Sequence, residues 1–130
     1  MGKLCASDGP LTVVVVEDDA DLLHSLQFCL DLEGWNVISY PTAEALLAGK
    51  ALPGNGCLVL DHVLPGASGL ELLSQLRALG SALPAIVITT DPGPALRTRA
   101  ANLNATIVEK PLLNASLTDA IRLALSSSLR

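Results

Sequence analysis

Cys57-Leu-Val-Leu-Asp61-His-Val-Leu-Pro65-Gly-Ala-Ser68-Gly-Leu-Glu71-Leu-Leu73 passes from an unbroken apolar run to a carboxylate, then to a turn, then to a helix start. Four apolar residues in a row suit a central parallel strand buried on both faces, and this run stops at Asp61. Pro65-Gly66 is a turn signal. Ser68 is placed as an N-cap with Glu71 in the capping-box position, opening a helix that carries Leu70, Leu73 and Leu76 toward a core. In open α/β sheets the crevice beyond the strands' carboxyl ends is where ligands bind, so an acid at that point is a candidate for chemistry.

Composition bounds the rest. At 130 residues the chain is one domain able to bury its own core, and with only one Phe, one Trp and one Tyr that core must be Leu, Val, Ile and Ala. The net charge of −5 argues against direct nucleic-acid binding, which rewards clustered Lys and Arg. Residues 1–65 hold nine acids against two bases, whereas residues 66–130 hold four acids against six bases. The acidic excess gathers at Glu17, Asp18, Asp19 and Asp21, which points to a cation partner. Cys5, Cys29 and Cys57 have no disulfide-framework spacing, and Cys29 and Cys57 are expected as buried thiols in a reducing cytoplasm. No run approaches the ~20 residues of a membrane span, and no signal-peptide core is visible, so a soluble, unexported protein is expected.

Along the chain, residues 1–10 form a loose lead-in. Leu11–Val16 reads as the first strand and stops at Glu17-Asp18-Asp19. Leu22, Leu26, Cys29 and Leu30 recur at helical spacing, and Gly34 ends that helix as its C′ residue. Asn36–Ser39 is a short strand, and Thr42 caps a brief helix with Leu46 and Leu47 facing inward. Pro53-Gly-Asn-Gly56 leads into the central strand. Its helix, 68–79, is closed by Gly80, and Pro84–Ile88 forms the fourth strand, ending at Thr89. A fourth helix is expected over about 95–102, where Pro92 and Pro94 delay its start and Asn102 and Asn104 end it. Ala105–Val108 is the fifth strand, ending at Glu109-Lys110-Pro111. The last helix shows Leu113, Leu117, Ile121 and Ala124 on one stripe and frays at Ser126–Ser128.

Five strands alternating with five helices predict an α/β doubly wound, five-stranded parallel sheet. Glu17, Asp18, Asp61, Thr89 and Lys110 then stand at strand ends and converge on one crevice. Carboxylates so close repel unless a cation joins them, and an all-oxygen donor set favours Mg²⁺ over softer metals.

Val-Val-Glu17-Asp18-Asp19, Leu-Val-Leu-Asp61-His-Val-Leu-Pro65-Gly-Ala-Ser-Gly69, Pro84-Ala-Ile-Val-Ile-Thr89 and Glu109-Lys110-Pro111 together resemble the receiver domain of two-component response regulators. Within that family the chain looks most like receivers of the nitrogen-fixation, LuxR-type regulators. The resemblance covers about residues 11–126, leaving 127–130 as a tail, and the intervals 18 to 61, 61 to 89 and 89 to 110 fall near those of the family. It implies a flavodoxin-like, CheY-like fold and a phosphorylation switch. By residue, it implies Asp61 as phosphoacceptor from a sensor histidine kinase or histidine phosphotransfer protein. Asp18 and Asp61 would bind Mg²⁺ directly, Glu17 through water, and Val63 through its backbone carbonyl. Thr89 would donate its hydroxyl to the phosphoryl group, Lys110 would pair with it, and the Lys110–Pro111 bond would be cis. Such a chain takes and loses its own phosphate rather than turning over a substrate. Output would pass through the fourth helix, fifth strand and fifth helix, to a downstream protein or a homodimer, with no nucleic acid or membrane bound. No DNA-reading motif follows in this chain, which reads either as a stand-alone receiver or as an excised domain.

Departures from the pattern are Ile107, where most receivers carry Tyr or Phe, Thr90, where Ala or Gly is commoner, and a 89-to-110 segment one residue short. A ring-flip coupling cannot operate at Ile107. Two other classes stay open: a degenerate receiver working as a phosphorylation-independent interaction module, and a small hydrolase with Asp61 as nucleophile, which lacks an acid at Val63. A dinucleotide-binding reading fails for want of a glycine fingerprint after the first strand. Strand alternation sets His62 opposite Asp61, His24 is expected in solvent, and Trp35 and Tyr40 as packing residues. Arg97, Arg99 and Arg122 are surface charges or part of a dimer face.

Overall fold

The computed structural model describes residues 11–49, 55–64, 66–90, 92–110 and 116–128. The five main strands are β1 (Thr12–Val16), β2 (Asn36–Tyr40), β3 (Gly56–Asp61), β4 (Ala85–Thr89) and β5 (Ala105–Glu109). The helices are α1 (Ala20–Leu32), α2 (Ala43–Ala48), α3 (Gly69–Ala78), α4 (Pro94–Asn102) and α5 (Ser116–Ser128). The sheet is parallel throughout, in the order β2-β1-β3-β4-β5. This is the doubly wound, flavodoxin-like arrangement, whose order reverses between β1 and β3.

Side chains alternate across the sheet and build two cores. Val14, Val16, Leu58, Leu60, Ala85 and Val87 face α2, α3 and α4, where Leu46, Leu70, Leu73 and Ala100 meet them. Val13, Val15, Cys57, Val59, Ile86 and Ile88 face α1 and α5, against Leu26, Leu30, Leu117 and Ile121. Every residue of β1, β3 and β4 is buried, which is why those strands read as continuous apolar runs instead of alternating ones.

Local signals hold where backbone geometry demands them. Ser68 and Glu71 form the full capping box, at 3.0 and 2.8 Å. Gly34 and Gly80 follow α1 and α3 at φ +88° and +99°. At Gly80 the amides of Gly80 and Ser81 close back onto Arg77 and Leu76, the pairing of a Schellman cap. Asn104 takes the same role after α4 at φ +60°.

Several expectations are corrected. Cys29 is exposed, because the buried stripe of α1 centres on Leu26 and Leu30 and leaves residue 29 on its flank. Leu47 is also exposed, Leu46 alone of that pair facing in. α4 starts at Pro94 itself, since a first helical residue has no intrahelical use for its N–H. α5 is helical from Ser116 to Ser128. A two-residue antiparallel hairpin, Val63–Leu64 with Ala67–Ser68, lies between β3 and α3, where the sequence suggests only a turn. The lead-in, Pro53, the Lys110–Pro111 bond and Leu113 lie outside the described residues. Among those described, no helix is long and apolar enough to cross a membrane.

Candidate functional site

The carboxyl ends of β1, β3, β4 and β5 meet at one edge of the sheet. Glu17 follows β1 directly, its N–H bonded to the carbonyl of Tyr40 at 3.1 Å, which fixes its backbone between β1 and β2. Its side chain is 2% exposed. One oxygen, Oε2, accepts the N–H of Asp19 at 3.1 Å, while Oε1 is buried with no hydrogen-bond partner. Asp18 is exposed beside it. Asp19 caps α1, accepting the amides of Asp21 and Leu22 at 3.0 and 3.2 Å.

Asp61 is the last residue of β3 and 5% exposed. The ammonium of Lys110 lies 3.3 Å from its Oδ1, 3.4 Å from its Oδ2 and 4.0 Å from Glu17 Oε1. Register explains that meeting: Asp61 pairs with Ile88, Thr89 with Glu109, and the N–H of Lys110 donates to the carbonyl of Thr89 at 2.8 Å. Two main-chain ladders therefore deliver the lysine to the acid. Thr89 ends β4 as a buried residue of the same edge. Val63 turns its side chain to solvent, 73% exposed, while its N–H donates to Asp61 Oδ1 at 3.4 Å.

Gly69 sets the position of Asp61 from the other side. Its N–H donates to the carbonyl of His62 at 2.9 Å, and a Cβ at this position would sit 2.5 Å from the carbonyl oxygen of Asp61. Only a glycine lets the start of α3 close onto the acid's own backbone. Neither this contact nor the support of Glu17 by Asp19 is evident from sequence; the first leaves no signal beyond a glycine after an N-cap serine.

Glu17, Asp18 and Asp61 each offer a carboxylate oxygen within 4.8 Å of the others. Burial, and then the neighbouring Asp61 carboxylate, push the Glu17 carboxyl up to about 7, against the opposing pull of the Asp19 N–H and Lys110. One lysine does not neutralise three acids. The orphaned Glu17 Oε1 and the all-oxygen donor set fit a hard divalent cation, which would complete the charge balance.

The remaining sequence candidates stand apart from this cluster or contribute packing. His62 is half-buried, with Nδ1 enclosed and without a hydrogen-bond partner. Thr90 and His24 are exposed. Ile107 packs, half-buried, against the α2–α4 core, as does Tyr40, and Trp35 packs on the opposite core. Arg97 pairs with Glu109 at 3.8 Å, and Arg122 pairs with Asp119 at 2.9 Å and with Glu33 at the end of α1.

A family model described as the response regulator receiver domain matches residues 13–122. The transcriptional regulatory protein FixJ of Azorhizobium caulinodans is 37% identical over 119 residues, covering 91% of this chain and 56% of that protein. FixJ of Bradyrhizobium diazoefficiens is 37% identical over 116 residues, 87% of this chain and 56% of that protein. The chain thus spans a little over half the length of these curated relatives. Among solved structures, full-length FixJ from B. japonicum superposes with a TM-score of 0.81 at 33% identity, covering 90% of this chain and 58% of that one. The crystal structure of FIXJ-N gives 0.79 at 35% identity, covering 89% of this chain and 94% of that one.

Proposed function

The chain belongs to the response regulator receiver domain family, and from that premise we propose that it takes a phosphoryl group onto Asp61 from a phosphohistidine on a sensor histidine kinase or a histidine phosphotransfer protein. The observation carrying this reading is the convergence of the Lys110 ammonium and two further carboxylates on one buried acid at the sheet's switch point.

Asp61 offers a carboxylate oxygen as nucleophile. It forms a bond to phosphorus as the bond from phosphorus to the histidine nitrogen breaks, and the leaving imidazole keeps the electron pair and takes up a proton. A carboxylate approaches a phosphoryl dianion only if charge is neutralised, and protein catalysis of this transfer is mainly position and electrostatics. Lys110 is already paired with Asp61 and would follow the charge onto the phosphoryl oxygens. Thr89, at the end of the neighbouring strand, would donate its hydroxyl to one of them. Asp18 and Asp61 would hold Mg²⁺ directly, Glu17 through water, with the Val63 carbonyl as a further ligand. When bound, Mg²⁺ would supply the positive charge that the three acids lack. The product is a self-dephosphorylating acyl phosphate, so the chain is a switch and not a turnover enzyme. The output surface is α4-β5-α5, read by a downstream protein or a second copy. The exposed free thiol of Cys29 suits a reducing compartment, the cytoplasm.

Intact mass after incubation with Mg²⁺ and a small phosphodonor tests the reading. Wild type gains one phosphoryl group and Asp61→Asn gains none. Ile107, which rules out a ring flip, favours a second reading as a phosphorylation-independent interaction module, and absence of uptake by the wild type selects it.

A further inference from the structure

The two ends of α4 are held very unequally. At its C-terminal end the guanidinium of Arg77, in the last turn of α3, donates from Nε to the carbonyl of Leu103 at 3.0 Å and from Nη2 to that of Asn104 at 3.5 Å. Its Nη1 donates to the carbonyls of Ser81 and Leu83 at 3.2 and 2.7 Å. One planar cation thus ties the end of α3, the α3–β4 connection and the end of α4 into one unit, and hydrogen bonds from a charged donor are the stronger kind. Asn104 at φ +60° sharpens the stop.

At the N-terminal end nothing comparable exists among the described residues. The N-cap is Gly93, with no side-chain cap hydrogen bond and no acid in the first turn, and a Cβ added there would meet nothing within 4 Å. The only residue α4 buries fully is Ala100, near its clamped end, with Leu96 half-buried before it. The Arg97–Glu109 pair is exposed on both sides and adds little.

We infer that α4 is hinged at the Arg77 clamp, so that it opens from its N-terminal end while its C-terminal end stays fixed to α3. The use of that hinge in signalling rests on the phosphoacceptor reading: in this parallel sheet the free end of α4 follows the carboxyl end of β4 at Thr89, whereas the clamped end leads to the opposite edge at Ala105, so a change at the strands' carboxyl ends acts on the free end. Arg77 acts here as a positioning residue, remote from the reacting atoms.

Residue-resolved amide exchange on the whole chain tests this. Ordinary helices fray at both ends, whereas here the amides of Arg97 and Thr98 exchange faster than those of Leu103 and Asn104. Gly93→Ser supplies the missing cap; it slows Arg97 and Thr98 by about two-fold and leaves Leu103 and Asn104 unchanged. Arg77→Met speeds Leu103 and Asn104 by more than about ten-fold, with the amides of β1 as control for global destabilisation. Equal protection at both ends, or a Gly93→Ser effect spread evenly along α4, overturns the hinge even if Arg77→Met does not fold. With Mg²⁺ and acetyl phosphate the change concentrates at Arg97 and Thr98, and a change as large at Leu103 overturns its signalling use. Intact mass on the same samples separates this from failure of phosphorylation itself, because the exchange contrast in the unmodified chain needs no phosphate.

Discussion

Replacing Glu17 by glutamine removes a buried charge while keeping an acceptor for the Asp19 N–H. Burial raises this carboxyl from 4.5 to about 7. Between those values the folded chain keeps a proton that the unfolded chain has released. Stability from this group is therefore whole below the lower value, falls as pH rises through the window, and is lost above about 7. The full loss is about 3 kcal/mol, each tenfold change in proton affinity being worth about 1.4 kcal/mol. For a chain of this size that corresponds to roughly 6–12 °C in Tm. Thermal melts of wild type and Glu17→Gln in EDTA check it. At about pH 8 the variant melts higher by up to that amount, and at about pH 4 the two converge. A variant no more stable than wild type at high pH, or one with the same pH slope, refutes the claim that this acid is held at an energetic cost.

Other outcomes follow from the same geometry. Mg²⁺ raises the Tm of the wild type more above pH 7 than near pH 5, since the proton on Glu17 competes with the cation; an equal rise at both contradicts the proposed site. Lys110→Ala lowers the rate of phosphate uptake from a small donor at least roughly ten-fold, the loss of one charge-assisted contact, read by the time course of intact mass. Gly69→Ala forces a methyl to 2.5 Å from the Asp61 carbonyl and costs about 1–3 kcal/mol in denaturant melts. In the native state iodoacetamide modifies Cys29 and spares Cys57, whose thiol burial pushes up to about 12; peptide mapping reads both, and equal labelling contradicts the packing.

Parallel strands made most of this legible. An apolar run that stops at an acid or a lysine announces both the strand and the edge where its last side chain stands, so Glu17, Asp61 and Lys110 could be set in one crevice from their spacing alone. What spacing does not encode is how far a helix is rolled about its axis: Cys29 and Leu47 have a helical period from buried neighbours and still face solvent. The Val63–Ser68 hairpin is hidden in the sequence because two-residue strands carry no period. Arg77 looks there like an ordinary helix-surface charge, since its four carbonyl partners are supplied by segments whose approach only tertiary packing sets.

The close fit of Gly69 on Asp61 limits how the main chain there could respond if the acid took a phosphoryl group as proposed. With less than a methyl group's room between them, the main chain bearing the acid cannot recoil without dragging the ten-residue α3 along. That helix is rooted by Leu70, Leu72, Leu73 and Leu76 in the interior. The acid is thus an anvil more than a lever: under the proposed phosphorylation, added bulk and charge would have to be absorbed by what faces it, the Lys110 ammonium.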